Sequence, residues 1–498
     1  MVSDLFKRFF RVEIILIILI LFGVFFRFYN LNVPLNGDEI IFGIGAMKFH
    51  HQSFEAGKEF VREHPPLGKW IVGLPSRFTE ADYEPLKLLS SDMFVWGYIA
   101  YDALEKNFIV MRVVEALLGV MSLLLIFLIA RQLFGFSAAI WSTALAALSF
   151  EMIGYSRVIF MESPMIVFIL LTLFLYINYL KSGGKKKFVY LGLFFISLTA
   201  TLLTRHIQPL FLLPIFAVSQ FLLNRDMKEN IYIFLLLAIS YYVAFHVIFP
   251  QDILGYGQSR FGYSSVLGFL SFKMFSVIGH LLFRNSFLFL ASILSIGYVA
   301  YQTFQKKIDH KTVYPVLIVF FVLAFLIFSL LRFPLPRHYI FMFLPLYIIG
   351  GYSLSRVTKN KILLWVMLVL AVINAVQIPV YFPNFLSYTN FGLNGFESFP
   401  SATFQELETR LNTLAEEGVS NLMTNDLNVL IYFNGQKSAL APALQTTCTN
   451  ETVESVDVED LTVLYAPHST KFNFMNDQFI CPVLKAKLIE SNVKILEL

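Results

Sequence analysis

Two adjacent carboxylates, Asp38 and Glu39, stand in the run Asn36-Gly37-Asp38-Glu39, a few residues beyond an apolar segment that ends near Phe28. Further along comes Arg62-Glu63-His64-Pro65-Pro66-Leu67-Gly68-Lys69-Trp70, which sets an acid, a histidine and two cations around a rigid Pro-Pro. A carboxylate within reach of a hydroxyl can take its proton as the oxygen attacks. Fixed cations nearby can neutralise an anionic leaving group. On their own, the same residues also read as an acidic turn and a basic helix start on a solvated loop.

Other ionisable residues recur at the ends of apolar segments: Arg157 and Glu162, Arg205 and His206, then Arg332, Arg337 and His338. A charge at the centre of a membrane-spanning helix costs about 2.5–3.5 kcal/mol on insertion scales. Near a helix end the cost falls, and each residue alone can be a snorkelling side chain. Together they put acids, cations and histidines at one depth on one side.

The elements that must position these groups follow from composition. The 498 residues are 57% hydrophobic and only 14% charged, against about 25% charged in soluble domains. The mean hydropathy is +0.67. Aromatic residues make up 16%, as suits a lipid-facing surface with interfacial rings. The net charge of +4, with no concentrated basic face, argues against nucleic-acid binding. Apolar segments near 12–28, 110–130, 137–156, 159–180, 188–204, 209–223, 231–249, 286–304, 313–331, 338–355 and 362–382 predict about eleven transmembrane helices. The first reads as a retained anchor after Lys7, Arg8 and Arg11. The stretch 266–282, with Lys273 and His280, predicts a helix lying in the interface.

Loop charge predicts the orientation. Arg131, Lys181, Lys185 to Lys187, Arg225, Lys228, Lys306, Lys307, Lys311, Arg356, Lys359 and Lys361 all fall in short loops on one side. That side is cytoplasmic by the positive-inside rule, and so is the N-terminus. The long loop 30–108, the turns that carry Arg157, Arg205 and Arg337, and everything after about residue 384 then face outward. The expected fold is a polytopic α-helical membrane domain, 1–383, followed by an extracytoplasmic α/β domain, 384–498. In the latter, a helical pattern at Phe404–Glu417 precedes short apolar segments at 421–424, 429–433, 462–465 and 493–498. Cys448 and Cys481 lie there, where an oxidising exterior permits a disulfide; two buried free thiols fit the sequence equally well. Asn450-Glu451-Thr452 is a glycosylation acceptor triplet on the same side.

Gly37-Asp38-Glu39, Phe42-Gly43 and His64-Pro65-Pro66-Leu67-Gly68-Lys69 resemble the first-loop signature of the protein O-mannosyltransferases. Glu63-His64-Pro65-Pro66 also resembles the Glu-Lys-Pro-Pro element of the related lipid A aminoarabinose transferases. Pro336-Arg337-His338-Tyr339 is similar to the Pro-Arg-Tyr start of a late helix in these enzymes. The resemblance covers roughly residues 1–380 and points to prokaryotic members of the superfamily. The segment 251–285 is too short for the β-trefoil insert of the eukaryotic mannosyltransferases. The Trp-Trp-Asp-Tyr-Gly element of oligosaccharyltransferases is absent.

The resemblance implies a GT-C glycosyltransferase that takes a sugar, mannose in the nearest family, from a polyprenyl-phosphate carrier to a protein, lipid or glycan acceptor. Asp38 is then the general base, with Glu39 second choice or orienting. Arg157, Lys69, Arg205, Arg337 and His64 are candidates for the donor phosphate, the arginines favoured by their bidentate geometry. Glu63, Glu162, His206, His338 and Tyr339 are supporting candidates, with Glu162 also a partner for Arg157. No cofactor is required, although Glu63, His64, Glu162 and His206 have the donor chemistry for a divalent metal. Two other readings remain: a transporter or lipid flippase, and a non-catalytic membrane assembly protein. Transporters place ionisable groups near the bilayer midplane and often show inverted repeats; neither feature is present in the sequence.

Overall fold

The computed structural model describes residues 2–29, 31, 37–59, 65–80, 83, 101–205, 208–223, 226–249, 287–304, 336–386, 413, 414, 416, 417, 421–424, 437–440, 461–465 and 494–497. Its helices are α1 (Val2–Phe28), α2 (Gly37–His51), α3 (Phe54–Glu59), α4 (Pro66–Gly73), α5 (Tyr101–Phe134), α6 (Phe136–Ala147), α7 (Phe150–Tyr155), α8 (Glu162–Lys181), α9 (Gly184–Leu202), α10 (Leu212–Leu223), α11 (Met227–Tyr242), α12 (Phe287–Phe304), α13 (Pro336–Val357) and α14 (Lys361–Leu386). A 3-10 turn, Leu74–Phe78, continues α4, and a π turn, Val243–Ile248, continues α11.

Ten of the eleven apolar segments expected from sequence are helical; the other, 313–331, lies outside the described residues, as does 266–282. On length and composition alone, 106–134, Glu162–Lys181 and Met227–Ile248 suffice to cross a membrane. The exposed faces carry the same message. On α1 the exposed side chains include Ile14, Ile17, Ile18, Leu21 and Phe25, while Leu16, Leu19 and Phe26 are buried. On α14 they include Ile362, Trp365, Val366, Val369, Val372 and Val376. Both sets recur at helical spacing. Such continuous apolar stripes are tolerable only where the solvent is itself apolar.

One expected helix, 137–156, is broken. α6 stops at Ala147, and α7 starts behind Ser149, whose side chain caps it by accepting the Met152 N–H at 3.3 Å. The break is held from distant helices. Asn374 of α14 donates to the Leu148 carbonyl at 2.8 Å, and the Ser149 hydroxyl bonds to Tyr347 of α13 at 2.7 Å. Arg27 of α1, fully buried, donates to the final carbonyls of α6, Ala146 and Ala147.

The chain groups into two compact units. One comprises 1–29, 63–68 and 115–380; the other comprises 30–62, 69–114 and 381–498. In the first, α6 packs against α1 and α13, α13 against α12, and α8 against α9. Small residues allow these close crossings. A Cβ on Gly23 would lie 2.3 Å from the Ala147 oxygen, and one on Gly351 would lie 2.1 Å from Ser142 Oγ.

The second unit contains a parallel sheet, β1 (Asn421–Thr424), β2 (Lys437–Leu440), β3 (Leu461–Tyr465) and β4 (Lys494–Glu497), in the order β2-β1-β3-β4. Thr424 pairs with Leu440 and Leu464, and Leu464 with Leu496. Three strands fall on apolar segments expected from sequence. The strand Lys-Ser-Ala-Leu at 437–440 was not expected, and 429–433 lies outside the described residues. So do Cys448, Cys481, Asn450 and most of 404–417; a helical turn at Thr413–Glu417 is described.

Gly351→Ala is expected to lower the thermal unfolding midpoint measured in detergent by the equivalent of about 1–3 kcal/mol of overpacking. Gly183→Ala, whose Cβ would meet nothing within 4 Å, is the control expected to leave it unchanged.

Candidate functional site

In the second unit the ionisable groups assemble around the start of α2. Gly37-Asp38-Glu39 forms its first turn, where acidic residues are favoured by the helix dipole. Glu39 is fully buried and bound in bidentate fashion by Arg112 of α5, with Nε to Oε1 at 2.6 Å and Nη2 to Oε2 at 2.7 Å. The same guanidinium donates through Nη1 to the Leu31 carbonyl at 2.7 Å. A planar fork on both carboxylate oxygens fixes distance and angle at once. The chain that enters α2 is therefore pinned on both sides of Asp38. The Asp38 side chain lies outside the described residues.

Arg112 was not anticipated from sequence. It stands inside an apolar run, and that was the available signal, because a lone arginine in such a helix needs an acid partner or backbone carbonyls. Lys69 of α4 is also fully buried. Its ammonium donates to the Gly57 carbonyl at 3.2 Å and sits 5.6 Å from the centroid of the Phe49 ring. Gly57 lets the Phe49 ring pack against this carbonyl's segment, since a Cβ there would meet the ring at 2.3 Å.

Two histidines overlooked in the sequence close the α2 end of this unit. His50 Nε2 bonds to the Trp70 carbonyl at 2.8 Å. His51 Nε2 bonds to Ser76 Oγ at 3.0 Å, and its ring stacks on Tyr83 at 3.4 Å. The Tyr83 hydroxyl donates to the Ser76 carbonyl at 2.8 Å, within a network that includes Thr79 and Asn107. Burial holds both imidazoles below their ordinary value of 6.5.

The first unit gathers a different set. Arg157, in the turn after α7, donates to the Phe26 and Tyr29 carbonyls at the end of α1. Glu162, the first residue of α8, pairs with Arg205 at 3.1 Å, both buried. Arg205 also donates to the Phe160 carbonyl. Glu115 of α5, again unanticipated, is fully buried and accepts the Met161 N–H at 3.3 Å. Met161 has φ 66°, the one non-glycine residue in the left-handed region among those described. That conformation costs an L-residue about 1–2 kcal/mol.

The His-Pro-Pro-Leu element is tied to the end of α9, with the Leu67 N–H on the Leu203 carbonyl at 3.0 Å. A Cβ on Gly68 would lie 2.9 Å from the Thr204 oxygen. Glu63, His64 and His206 lie outside the described residues. Arg337, His338 and Tyr339 begin α13, their side chains outside the described set. Of the four metal-ligand candidates only Glu162 is described, and it pairs with Arg205. Among the described residues no three His, Cys, Asp or Glu side chains come together as a metal site.

Breaking the Glu39–Arg112 pair strands a buried charge, a loss of about 3–5 kcal/mol. Glu39→Ala is expected to lower the unfolding midpoint sharply. Adding Arg112→Ala should recover part of the loss, and a double-mutant cycle measures the coupling. The histidines set a pH dependence. Their folded pKa values are depressed, so they favour the folded state above the unfolded value, and that contribution is lost as pH falls from about 6.5. A stability profile between pH 8 and pH 5 should fall less in His51→Gln than in the parent.

Residues 17–248 match the family model for dolichyl-phosphate-mannose-protein mannosyltransferases. An uncharacterized protein of Aquifex aeolicus is 28% identical over 326 residues, which is 62% of this chain and 57% of that protein. The chain thus spans little more than half the length of this curated relative. The apo crystal structure of ArnT from Cupriavidus metallidurans is similar over 95% of this chain and 90% of that chain, with a TM-score of 0.54 at 12% identity. The same enzyme bound to undecaprenyl phosphate is similar over 96% and 89%, with a TM-score of 0.54 at 11% identity. At such identities the likeness is one of fold. The family match takes in both first-loop motifs, and the chain shares the fold of ArnT over nearly its whole length.

Proposed function

We propose that the chain is a membrane glycosyltransferase that moves a sugar from a polyprenyl-phosphate carrier to an acceptor on the extracytoplasmic face, inverting the anomeric carbon. The buried Glu39–Arg112 pair carries this reading. It fixes the helix turn that bears Asp38 and occupies both oxygens of Glu39 with charged donors. With both oxygens engaged by Arg112, Glu39 serves to hold the turn, which leaves the base role to Asp38.

In the proposed reaction the acceptor oxygen attacks the anomeric carbon and its proton passes to Asp38. The bond from the anomeric carbon to the phosphate oxygen breaks, and the phosphate keeps the electron pair. Lys69, Arg157, Arg205, Arg337 and His64 are the candidates for neutralising that phosphate. The undecaprenyl phosphate in the ArnT structure of like fold supports a polyprenyl carrier here. The family match supports mannose as the first sugar to test. The basic inner loops support a cytoplasmic N-terminus and an outward-facing C-terminal segment.

Purified protein incubated with polyprenyl-phosphate sugars should consume one of them. Mass spectrometry of both products then names the sugar and shows whether the acceptor is protein, lipid or glycan. Asp38→Asn should lower transfer by about 10²–10⁴-fold with an unchanged unfolding midpoint. Near-normal transfer by that variant would remove Asp38 as the base, and no consumption of any lipid-linked donor would overturn the whole reading.

A further inference from the structure

The chain between α7 and α8, Ser156 to Met161, is short and irregular, and it carries Arg157. Its last peptide unit, joining Phe160 to Met161, is held at both ends. Arg205 donates to the Phe160 carbonyl, and Glu115 accepts the Met161 N–H at 3.3 Å. Each end of the peptide dipole meets a matching group, a guanidinium on the oxygen and a carboxyl oxygen on the N–H. Glu115 and Arg205 are both at most 1% exposed, and Phe160 and Met161 are buried with them. Arg205 reaches on to Glu162, so the grip continues into the first residue of α8.

This peptide needs such a grip because it leads into Met161, whose positive φ an L-residue rarely adopts. If the Glu115 carboxylate is removed, the Met161 N–H becomes a buried donor without its acceptor. The strained residue can then relax by rotating the 160–161 peptide. The rotation disturbs the short turn from Ser156 to Met161 that carries Arg157.

We propose that Glu115 is a positioning residue: it fixes the 160–161 peptide and so holds Arg157 for the phosphate of the lipid-linked donor. The inference rests on the proposed role of Arg157 as a phosphate ligand. The carboxylate acts here as a hydrogen-bond acceptor, so an amide oxygen in its place does the same work.

The test uses the full-length protein in detergent and two readouts, KM against kcat for the sugar donor and Kd for undecaprenyl phosphate alone. Glu115→Ala should raise KM and Kd about tenfold, equivalent to about 1.4 kcal/mol, with kcat little changed. Glu115→Gln should stay within about threefold of the parent. A purely structural role would instead lower the active fraction, seen in kcat, and leave KM alone; that result overturns the proposal. Arg157→Ala separates the two ideas. If it leaves Kd unchanged, the phosphate role of Arg157 falls; if it weakens binding while Glu115→Ala does not, only the positioning role falls. With both intact, the double variant should bind no more weakly than Arg157→Ala. Should Glu115→Ala fail to fold, Glu115→Asp replaces it, keeping the carboxyl group while withdrawing the oxygen by one methylene. The same rise in KM is then expected, and no rise overturns the proposal.

Discussion

A guanidinium buried away from water has to find every partner within the protein. Four arginines, Arg27, Arg112, Arg157 and Arg205, are each at most 1% exposed, and each donates to a main-chain carbonyl of another segment. These contacts fall where helices end or turn: at the end of α6, before α2, at the end of α1 and before α8. Helix ends leave carbonyls without intrahelical partners, and in an apolar surround those carbonyls carry the same debt as the guanidinium. Each arginine supplies such a carbonyl with a donor. The interior of an otherwise apolar bundle can therefore contain helix ends and irregular turns, which is where ionisable chemistry can be built.

Within that constraint, the acids and cations divide into separate assemblies. In the second unit, Glu39 is committed to Arg112, and Lys69 to the Gly57 carbonyl and the Phe49 ring. In the first unit, Glu162 pairs with Arg205 while Glu115 holds the Met161 N–H. Several residues that looked in sequence like direct reactants thus also have structural partners. A charge that both binds a ligand and shapes the backbone is positioned before the ligand arrives, which lowers the reorganisation that binding requires.

The helices were legible in the sequence because apolar length and loop charge are strong, independent signals. The α6–α7 break was not, since Leu148-Ser149 interrupts no apolar periodicity and its cause lies in Asn374 and Tyr347. The first-loop motifs stood out in the sequence. Their main partner, Arg112, was hidden inside an apolar run where one charge adds little to a window of hydropathy. Glu115 was hidden for the same reason, and pairing between residues far apart in sequence leaves no local trace. The histidines His50 and His51 sat in plain view, but only the fold brings them to Trp70, Ser76 and Tyr83. The sheet was partly legible. Apolar strands at 421–424 and 461–465 stood out, while Lys437–Leu440 is short and only half apolar.

The interrupted helix at Leu148-Ser149 also bears on the order of assembly. Neither α6, with 12 residues, nor α7, with 6, is long enough alone to cross a hydrocarbon core about 30 Å thick. The polar groups exposed at the break are satisfied by Tyr347 and Asn374, which leave the ribosome some 200 residues later. Until α13 and α14 are made, this segment has to remain hydrated or sheltered by the insertion machinery. A chain truncated before α13 would leave the Ser149 hydroxyl and the Leu148 carbonyl without these partners.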